Sequence, residues 1–388
     1  MERLPPEVIL EIITRLPIRS LLQFRCVCKA WFTLAQDPYL LHNYQCRSTQ
    51  INPCLILHSE NTLHDKLHII DEDHHHYNQA FPGKPNLPFN SAMPSFDITG
   101  SCNGFLCLTD TQVPDTSYIY NPFIGESIQL PPVIKHFTYQ RVALGFGFDQ
   151  VSKAYKVIRC VYCIPEPGSR AHRPFGIINS DISIHTLGTD SWRSLGKKPR
   201  HWLDWNSPTA SVNGFLHWLT KAHKYKQSHD IVAFDFATEE FHQVPCPSCP
   251  SFKRNMYSLV ELGGRLCAVV RVSYNGKVDV WVMKEYNMAS SWSKDYILGE
   301  HAPVGLNLGL QLSDRMRNKW FSLKNVQVLC LMKTGEILIE YGRQAFACYD
   351  PEKAEFRDLN IHGLPNCFQS VVLRGNILSL QDSIQIQI

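Results

Sequence analysis

The sequence has no strong excess of charge of either sign, because 38 basic residues stand against 35 acidic ones and the formal net charge is +3. Proteins dedicated to nucleic-acid binding usually carry a pronounced basic excess, so we expect no nucleic-acid partner. A run of about 18 consecutive apolar residues is also missing, so we expect no membrane-spanning helix and no membrane partner. Glu7, Glu11 and Arg15 interrupt the apolar residues near the start, and we expect no secretory signal peptide.

The sequence also lacks the motifs of common enzyme classes. It contains no Gly-x-Ser-x-Gly elbow, no Walker loop and no His-Glu-x-x-His segment, and no pair of acids stands out as a general acid and base. His185 and His217 lie in apolar runs, where a histidine is more often a structural residue than a catalyst. We therefore expect a protein that is not an enzyme, with no catalytic residue and no cofactor.

Metal binding is weakly indicated at best. Cys160-x-x-Cys163 and Cys246-x-x-Cys249 each have half of a zinc-site spacing, but the two pairs lie much further apart than in the usual zinc ribbons. The cluster from Asp71 to His76 could attract a divalent ion, yet contiguous residues rarely converge on one centre, and a solvated loop is favoured. We expect no metal site and buried free thiols. The Asn-x-Ser/Thr glycosylation pattern is missing too, which agrees with the cytoplasm or the nucleus.

The first 45 residues predict three short helices. Apolar residues recur at helical spacing from Pro6 to Leu16, and Pro17 ends this pattern. A second helix is expected from Ser20 to Cys26, and a third from Lys29 to Gln36. So small a module buries little surface by itself, and its first helix is apolar over more of its circumference than the module can cover. The excess apolar surface favours a protein partner.

This segment resembles the F-box of plant F-box proteins. The resemblance lies in the run from Leu4 to Pro17, which has a Leu-Pro pair at each end, and in the Arg-x-Val-x-Lys-x-Trp segment from Arg25 to Trp31. It implies docking onto a Skp-type adaptor, which joins a cullin scaffold. The adaptor contacts that it implies are Leu4, Pro5, Ile9, Ile13, Leu16, Leu21 and Leu22. Trp31 is assigned to the core of the helical module. The alternative is that this segment is an ordinary helical cap on the domain that follows, with its leucines packed internally.

After Gln50 the pattern becomes one of short β-rich runs separated by Asn-Gly, Gly-Gly and proline turns. The segments from Ser101 to Leu108 and from Ser211 to Leu219 each read as strand, turn and strand around an Asn-Gly pair. Recurring strand ends are expected at Ile70, Asn121, His185, Asp235, Asp279 and Tyr349. Their spacing of about 45 to 70 residues is within or above the range of propeller blades, so six blades are expected, with seven as the alternative.

The two ends of this β-rich region are expected to pair. The run from Val371 to Leu380 would lie beside the strand near Leu55 to Leu57, because an open array would leave unpaired strand edges. Two stretches interrupt the pattern and are expected to be surface loops. They are His74 to Phe96, which is rich in proline, and Gly299 to Lys324.

The β-rich region resembles the F-box-associated, kelch-like domain of plant F-box proteins. Matching segments include the Asn-Gly strand openings, Gly145 to Asp149, and the Ser-Trp pairs at Ser191 and Ser291. Only Gly263-Gly264 reproduces the diglycine of true kelch blades. The fold class expected is a small all-α F-box of three helices at 1–45, followed by an all-β kelch-like β-propeller at 46–388.

The resemblance implies the substrate-recognition subunit of a Skp-cullin-F-box ubiquitin ligase. Its partners would be the Skp-type adaptor, through it a cullin, and an unidentified protein target whose contact residues the sequence does not indicate. The first alternative is an F-box scaffold or regulator that delivers no target. The second is a propeller hydrolase or sugar-binding module.

Overall fold

The computed structural model describes residues 5–16, 18–34, 53–59, 66–70, 80–82, 87–113, 115–133, 140–163, 179–196, 202–204, 207–221, 230–249, 257–271, 278–298, 326–373 and 379–385. It divides into two compact units. Unit 1 comprises residues 1–130 and 369–388, and unit 2 comprises residues 131–368. Among the described residues, no helix is both long enough and apolar enough to cross a membrane.

Unit 1 begins with the three predicted helices. They are α1 (Pro6–Ile13), α2 (Ile18–Arg25) and α3 (Lys29–Leu34). Pro6 lies in the first turn of α1, where its missing backbone N–H removes no helical hydrogen bond. At the other end the Thr14 hydroxyl donates to the carbonyl of Glu11 at 2.9 Å. The second helix begins two residues before its predicted start at Ser20.

The helices share one small core, which we call the helical core. It consists of the buried residues Ile13, Leu21, Phe24 and Cys54, with partly buried Ile9, Leu10, Leu16, Leu22, Leu34 and Phe123 packed against it. Cys54 and Phe123 belong to the β-rich part of unit 1, so the helices are not a free-standing domain. Their small apolar content explains why they need this support.

The β-rich region forms six four-stranded antiparallel sheets among the described residues, which confirms six blades. Unit 1 contains two of them. Sheet 1 is built from β1 (Cys54–Ser59), β2 (Lys66–Ile70), β3 (Ala80–Pro82) and β24 (Gln369–Leu373), and sheet 2 from β4 (Phe96–Cys102), β5 (Phe105–Asp110), β6 (Ser117–Asn121) and β7 (Glu126–Gln129). A short helix, α4 (Leu380–Gln385), follows sheet 1 in the chain.

Unit 2 contains the other four sheets. Sheet 3 is β8 (Gln140–Asp149), β9 (Ala154–Cys163), β10 (Asn179–Thr186) and β11 (Arg193–Ser194), and sheet 4 is β12 (Ala210–Val212), β13 (Phe215–Leu219), β14 (Ile231–Asp235) and β15 (Glu240–Val244). Sheet 5 is β16 (Tyr257–Leu262), β17 (Arg265–Arg271), β18 (Val278–Met283) and β19 (Trp292–Leu298). Sheet 6 is β20 (Val326–Leu331), β21 (Ile337–Tyr341), β22 (Ala345–Asp350) and β23 (Glu355–Leu359).

Two kinds of turn recur in these sheets. Asn103-Gly104 and Asn213-Gly214 join the first two strands of sheets 2 and 4, and all four residues have positive φ, the conformation that two-residue hairpins require. Asn121, Asp235 and Asp350 end the third strands of sheets 2, 4 and 6. Each accepts a hydrogen bond at its side-chain oxygen Oδ1 from the backbone N–H two residues later, at 2.8 to 3.0 Å.

The predicted strand ends are confirmed to within one residue at five of six positions, each in a third strand. The prediction of a strand end at Asp279 was wrong, because Asp279 lies near the start of β18 rather than at its end. The apolar alternation of β18 continues to Met283 and therefore gives no sequence signal for an end at Asp279.

The predicted pairing of the first and last strands is confirmed in sheet 1. Leu55 lies opposite Val372 and Ile56 opposite Val371 in the antiparallel pair of β1 and β24. The predicted strand extended too far, however. It ends at Leu373, and Leu380 is already the first residue of α4.

Apolar side chains of adjacent sheets meet within each unit. In unit 1 the core between sheets 1 and 2 includes Leu87, Phe89 and Met93, all buried. The prediction of one surface loop from His74 to Phe96 was therefore wrong in its described part, which also contains β3. The four prolines suggested exposure, whereas the apolar residues between them fill a gap beside Phe96. The predicted loop from Gly299 to Lys324 and the cluster from Asp71 to His76 lie outside the described residues.

Candidate protein-interaction sites

The outer surface of α1 has an apolar face, which we call the α1 face. Val8 is 42% exposed and Ile12 is 49% exposed. They line a shallow groove with Glu11 and Arg15, whose side chains form an ion pair at 2.8 Å. Residues spaced by three and four lie on one side of a helix, so these four form a continuous stripe. Two adjacent exposed aliphatic side chains beside a polar pair make this face a candidate protein-binding surface.

The predicted adaptor contacts divide into four groups. Pro5 is exposed, and Ile9, Leu16 and Leu22 are half-buried in the helical core. Ile13 and Leu21, at 2% and 0% exposure, belong to that core, so in this conformation they support the helices and do not present a surface. Leu4 lies outside the described residues. Whether the accessible members touch an adaptor stays a prediction.

Sequence reasoning missed Val8 and Ile12, although a signal for them was present. They share a helical face with the charged pair Glu11 and Arg15, whereas Ile9 and Ile13 are each turned about 100° further round the helix, toward the helical core. Two aliphatic residues on the same side of the helix as a charged pair indicate apolar surface that faces solvent. The prediction instead took the most regular apolar stripe, which the chain uses for its own packing.

The assignment of Trp31 to the core needs a correction. Its ring packs on Phe24 with 3.7 Å between ring centroids, yet 42% of the residue is exposed. Val27 and Phe32, close to it in sequence, are exposed as well. Since α3 contributes no fully buried residue, this short helix covers the core with one side only.

Sheets 3 and 4 meet closely at two glycines of β8. A Cβ at Gly145 would overlap the ring of Trp218, and a Cβ at Gly147 would overlap the ring of Phe236. Both aromatic residues are buried in the core between these two sheets. The Gly-x-Gly part of the segment from Gly145 to Asp149 thus serves close packing of neighbouring sheets.

A network of charged groups, which we call the Lys156 network, joins the same two sheets. The buried Lys156 ammonium lies 2.9 Å from a carboxylate oxygen of Asp149 and 3.0 Å from one of Glu239, and it donates to the carbonyl of Phe236 at 2.9 Å. Glu239 also accepts two hydrogen bonds from Arg193 at 2.8 and 2.6 Å. Each charged group therefore has an opposite partner, as burial requires.

The network shifts the titration of both carboxylates. Burial by itself would raise the pKa of Asp149, but hydrogen bonds from Ser152 and Lys156 outweigh it and the pKa is lowered. Burial would likewise raise the pKa of Glu239, and hydrogen bonds from Arg193 and Lys156 lower it overall. Both carboxylates are therefore ionised at neutral pH and keep the lysine paired.

Two tryptophans make the same hydrogen bond at different places in unit 2. The indole N–H of Trp192 donates to the carbonyl of Pro131, and that of Trp292 to the carbonyl of Pro245, both at 2.8 Å. Trp292 opens the outer strand of sheet 5, while Pro245 directly follows the outer strand of sheet 4. The Ser-Trp pairs noted in the sequence therefore tie a strand to the segment that leaves an earlier one.

The two histidines of interest are satisfied inside the sheets. His217 is fully buried, with Nδ1 3.0 Å from the carbonyl of Ala210 and Nε2 2.8 Å from the hydroxyl of Tyr286. Since a carbonyl can only accept, Nδ1 carries the proton and the Tyr286 hydroxyl donates to Nε2. Burial lowers the pKa of His217 to about 4. His185 is buried too, and Nδ1 lies 3.2 Å from the carbonyl of Ser191.

The cysteine pairs lie in separate cores. Cys160 is buried between sheets 3 and 4, where burial raises the pKa of its thiol. Cys246 and Cys249 pack on the core between sheets 4 and 5. Within the described part of the chain, no group of three or more histidine, cysteine or acidic side chains is arranged to hold a metal ion.

Comparison with known proteins gives two family matches that together extend over most of the chain. Residues 55–377 match the family described as the F-box associated beta propeller domain. Residues 1–48 match the family described as F-box-like. The first match alone extends over more than half of the chain and includes all six sheets.

Similar proteins of Arabidopsis thaliana carry related names. F-box protein At3g07870 is 39% identical over 391 residues, covering 97% of this chain and 92% of that protein. F-box/kelch-repeat protein At3g23880 is 25% identical and covers 75% of this chain and 78% of its own length. Among solved structures, a puromycin hydrolase matches 79% of this chain and 45% of its own, with a TM-score of 0.43 and 13% identity. A similarity of that size carries no argument about function.

Proposed function

We propose that this chain, which belongs to the F-box proteins with an F-box associated β-propeller domain, is the substrate-recognition subunit of a Skp-cullin-F-box ubiquitin ligase. Its helices bind a Skp-type adaptor, and its six-bladed propeller binds a protein target for ubiquitination and proteasomal degradation. Members of this family are generally adaptors rather than catalysts. The cytoplasm and the nucleus, where such a ligase would work, are part of the same proposal.

The α1 face supports the adaptor contact most directly. Val8 and Ile12 each keep nearly half of their surface exposed, while the neighbouring Ile13 is used internally. The helical core is therefore complete without Val8 and Ile12, and the described residues leave these two side chains partly exposed to solvent. Burying such a stripe under a second polypeptide stabilises the complex by about 25 cal/mol for each Å² of apolar surface removed from water.

The proposed mechanism is positional. One part of the chain holds the adaptor and another holds the target, so that a ubiquitin-loaded conjugating enzyme on the cullin meets the lysines of the target at a raised effective concentration. The reacting bond needs no side chain of this protein. The described parts of the propeller supply closely packed sheets for this purpose, with the Lys156 network between sheets 3 and 4 and the tryptophan hydrogen bonds to segments that leave earlier strands.

The test is co-purification of the full chain with a Skp-type adaptor and a cullin. We expect Val8→Asp combined with Ile12→Asp to abolish co-purification, because an unpaired carboxylate would be buried in the contact. Val151→Asp is the matched control, since Val151 is also an exposed aliphatic residue, at 79%, but lies in a turn of unit 2. Retained binding in the double variant would contradict the proposed contact. Ile13→Asp is unsuitable because it would disrupt the helical core itself.

The two alternatives predict different results. A scaffold or regulator would bind the adaptor, but no protein captured with it while the proteasome is blocked would gain a longer half-life when this chain is removed. A propeller hydrolase or sugar-binding module would show turnover or sugar binding in the absence of any adaptor. The target-delivery proposal requires at least one captured protein whose lifetime depends on both this chain and an intact α1 face.

A further inference from the structure

The turn between β6 and β7 contacts segments from both ends of the chain. It runs from Asn121 to Glu126, and Phe123 is at its centre. The Phe123 side chain packs against the helical core and also against the core between sheets 1 and 2. Cys54, the first residue of β1, also belongs to the helical core. Phe123 therefore belongs to two cores at once and links the helices to the sheets of unit 1.

Glu126, at the end of the same turn, holds the last described segment of the chain. One carboxylate oxygen of Glu126 accepts hydrogen bonds from the Ser379 hydroxyl and from the Leu380 backbone N–H, both at 2.9 Å. Leu380 is buried and is the first residue of α4. Because β24 pairs with β1 just before this segment, the C-terminal part of the chain is attached both to sheet 1 and to the turn.

The turn itself is rigidly built. Asn121 is fully buried, its side-chain oxygen accepts from the N–H of Phe123 at 3.0 Å, and its backbone carbonyl accepts from the N–H of Gly125 at 2.8 Å. Gly125 has a φ of +74°, which glycine adopts without strain. These constraints fix the backbone from which the Phe123 side chain projects. Sheets 4 and 6 have the same type of turn but place Ala237 or Glu352 at this position.

We infer that the turn from Asn121 to Glu126 is the joint that sets the orientation of the three helices on unit 1, with Phe123 as the positioning residue. The functional consequence of this joint rests on the proposed function. Since the helices carry the adaptor contact, the joint determines how the sheets of unit 1 are oriented relative to the rest of the ligase. Transfer to a lysine depends on distance and direction, so a loosened joint changes which lysines receive ubiquitin.

The first test measures the joint without any partner. Hydrogen exchange is followed in the full chain for the wild type, for Phe123→Ala and for the conservative Phe123→Leu. Phe356→Ala is the matched control, because Phe356 is also a partly buried phenylalanine on a core between sheets but lies in unit 2. We expect several-fold faster exchange of the α1 and α2 amides in Phe123→Ala, partial rescue in Phe123→Leu, and no change in these helices in the control.

Amides of β5 serve as an internal reference in this experiment. If they remain protected in Phe123→Ala while α1 and α2 exchange faster, the joint has been loosened and sheet 2 has kept its structure. Helix protection equal to that of the wild type would overturn the inference. So would equal loss of protection in β5 and in the helices, because Phe123 would then be an ordinary core residue.

The second test follows function in the reconstituted ligase, with self-ubiquitination of the full chain as the reaction. We expect Phe123→Ala to bind the adaptor with unchanged affinity but to distribute ubiquitin over different acceptor lysines, as mapped by mass spectrometry, with a several-fold lower rate. An acceptor pattern identical to that of Phe356→Ala and the wild type would overturn the inference. If the wild-type chain fails to bind the adaptor, the proposed function fails, and the exchange experiment alone still decides whether the joint exists.

Discussion

Replacing Lys156 with methionine tests whether the Lys156 network stabilises unit 2. The change removes the cation that Asp149 and Glu239 share and leaves Asp149 buried. Breaking a buried ion pair by removing one partner costs about 3–5 kcal/mol. Here Asp149 keeps hydrogen bonds from Val151 and Ser152, and Glu239 keeps Arg193, so we expect a smaller loss of about 2–3 kcal/mol.

The assay is equilibrium unfolding in urea at pH 7, followed by tryptophan fluorescence. For a unit of this size a loss of about 2–3 kcal/mol lowers the urea midpoint by roughly 1 M. Lys353→Met is the matched control, since Lys353 pairs with Asp350 at 2.8 Å on the surface, and it should leave the midpoint unchanged. An unchanged midpoint in Lys156→Met, or an equal fall in the control, would refute the reasoning.

The pH dependence gives a second reading of the same variant. Folding lowers the pKa of Asp149 and of Glu239, so their contribution is complete above the unfolded pKa and is lost as pH falls through the folded one. The difference between wild type and Lys156→Met should thus be constant near neutrality. It should shrink below about pH 4, where both carboxylates take up protons.

Three further predictions concern unit 2. Gly147→Ala should destabilise the protein by about 1–3 kcal/mol, because its methyl group would overlap Phe236, and combining it with Phe236→Leu should recover part of the loss in urea unfolding. Trp292→Phe keeps an aromatic ring but removes both the indole N–H that donates to Pro245 and part of the buried ring volume, so a loss of at least about 1 kcal/mol in unfolding free energy is expected by the same assay. The folded pKa of His217, about 4, lies below its ordinary 6.5, so the unfolded chain takes up this proton first as pH falls. Between pH 7 and pH 4 the free energy of unfolding of the wild type should therefore fall by about 3 kcal/mol more than that of His217→Gln, as measured by urea unfolding at each pH.

The features that the sequence predicted well are local ones. The Asn-Gly pairs at Asn103 and Asn213 define their hairpins by backbone preference alone, and the structure places both residues of each pair at positive φ. The amide at Asn121 and the acid at Asp235 likewise end a strand through a hydrogen bond within their own turn. Such signals need no knowledge of distant residues.

The features that the sequence did not predict depend on contacts between distant segments. The partners of Lys156 include Glu239, a residue from another sheet, and nothing around either residue indicates the pair. The role of Phe123 arises because the helices happen to meet one turn of sheet 2. The α1 face was within reach of sequence reasoning, because the charges at Glu11 and Arg15 mark the side of the helix on which Val8 and Ile12 lie.

The central claim is that the α1 face binds a Skp-type adaptor, and calorimetric titration of the full chain with the purified adaptor tests it most directly. We predict saturable binding that Ile12→Ala weakens by about fivefold, since burial of the exposed half of this side chain is worth about 1 kcal/mol. Binding should be undetectable when Val8 and Ile12 are both replaced by aspartate. Absence of binding by the wild type, or equal affinity in all three proteins, would contradict the claim.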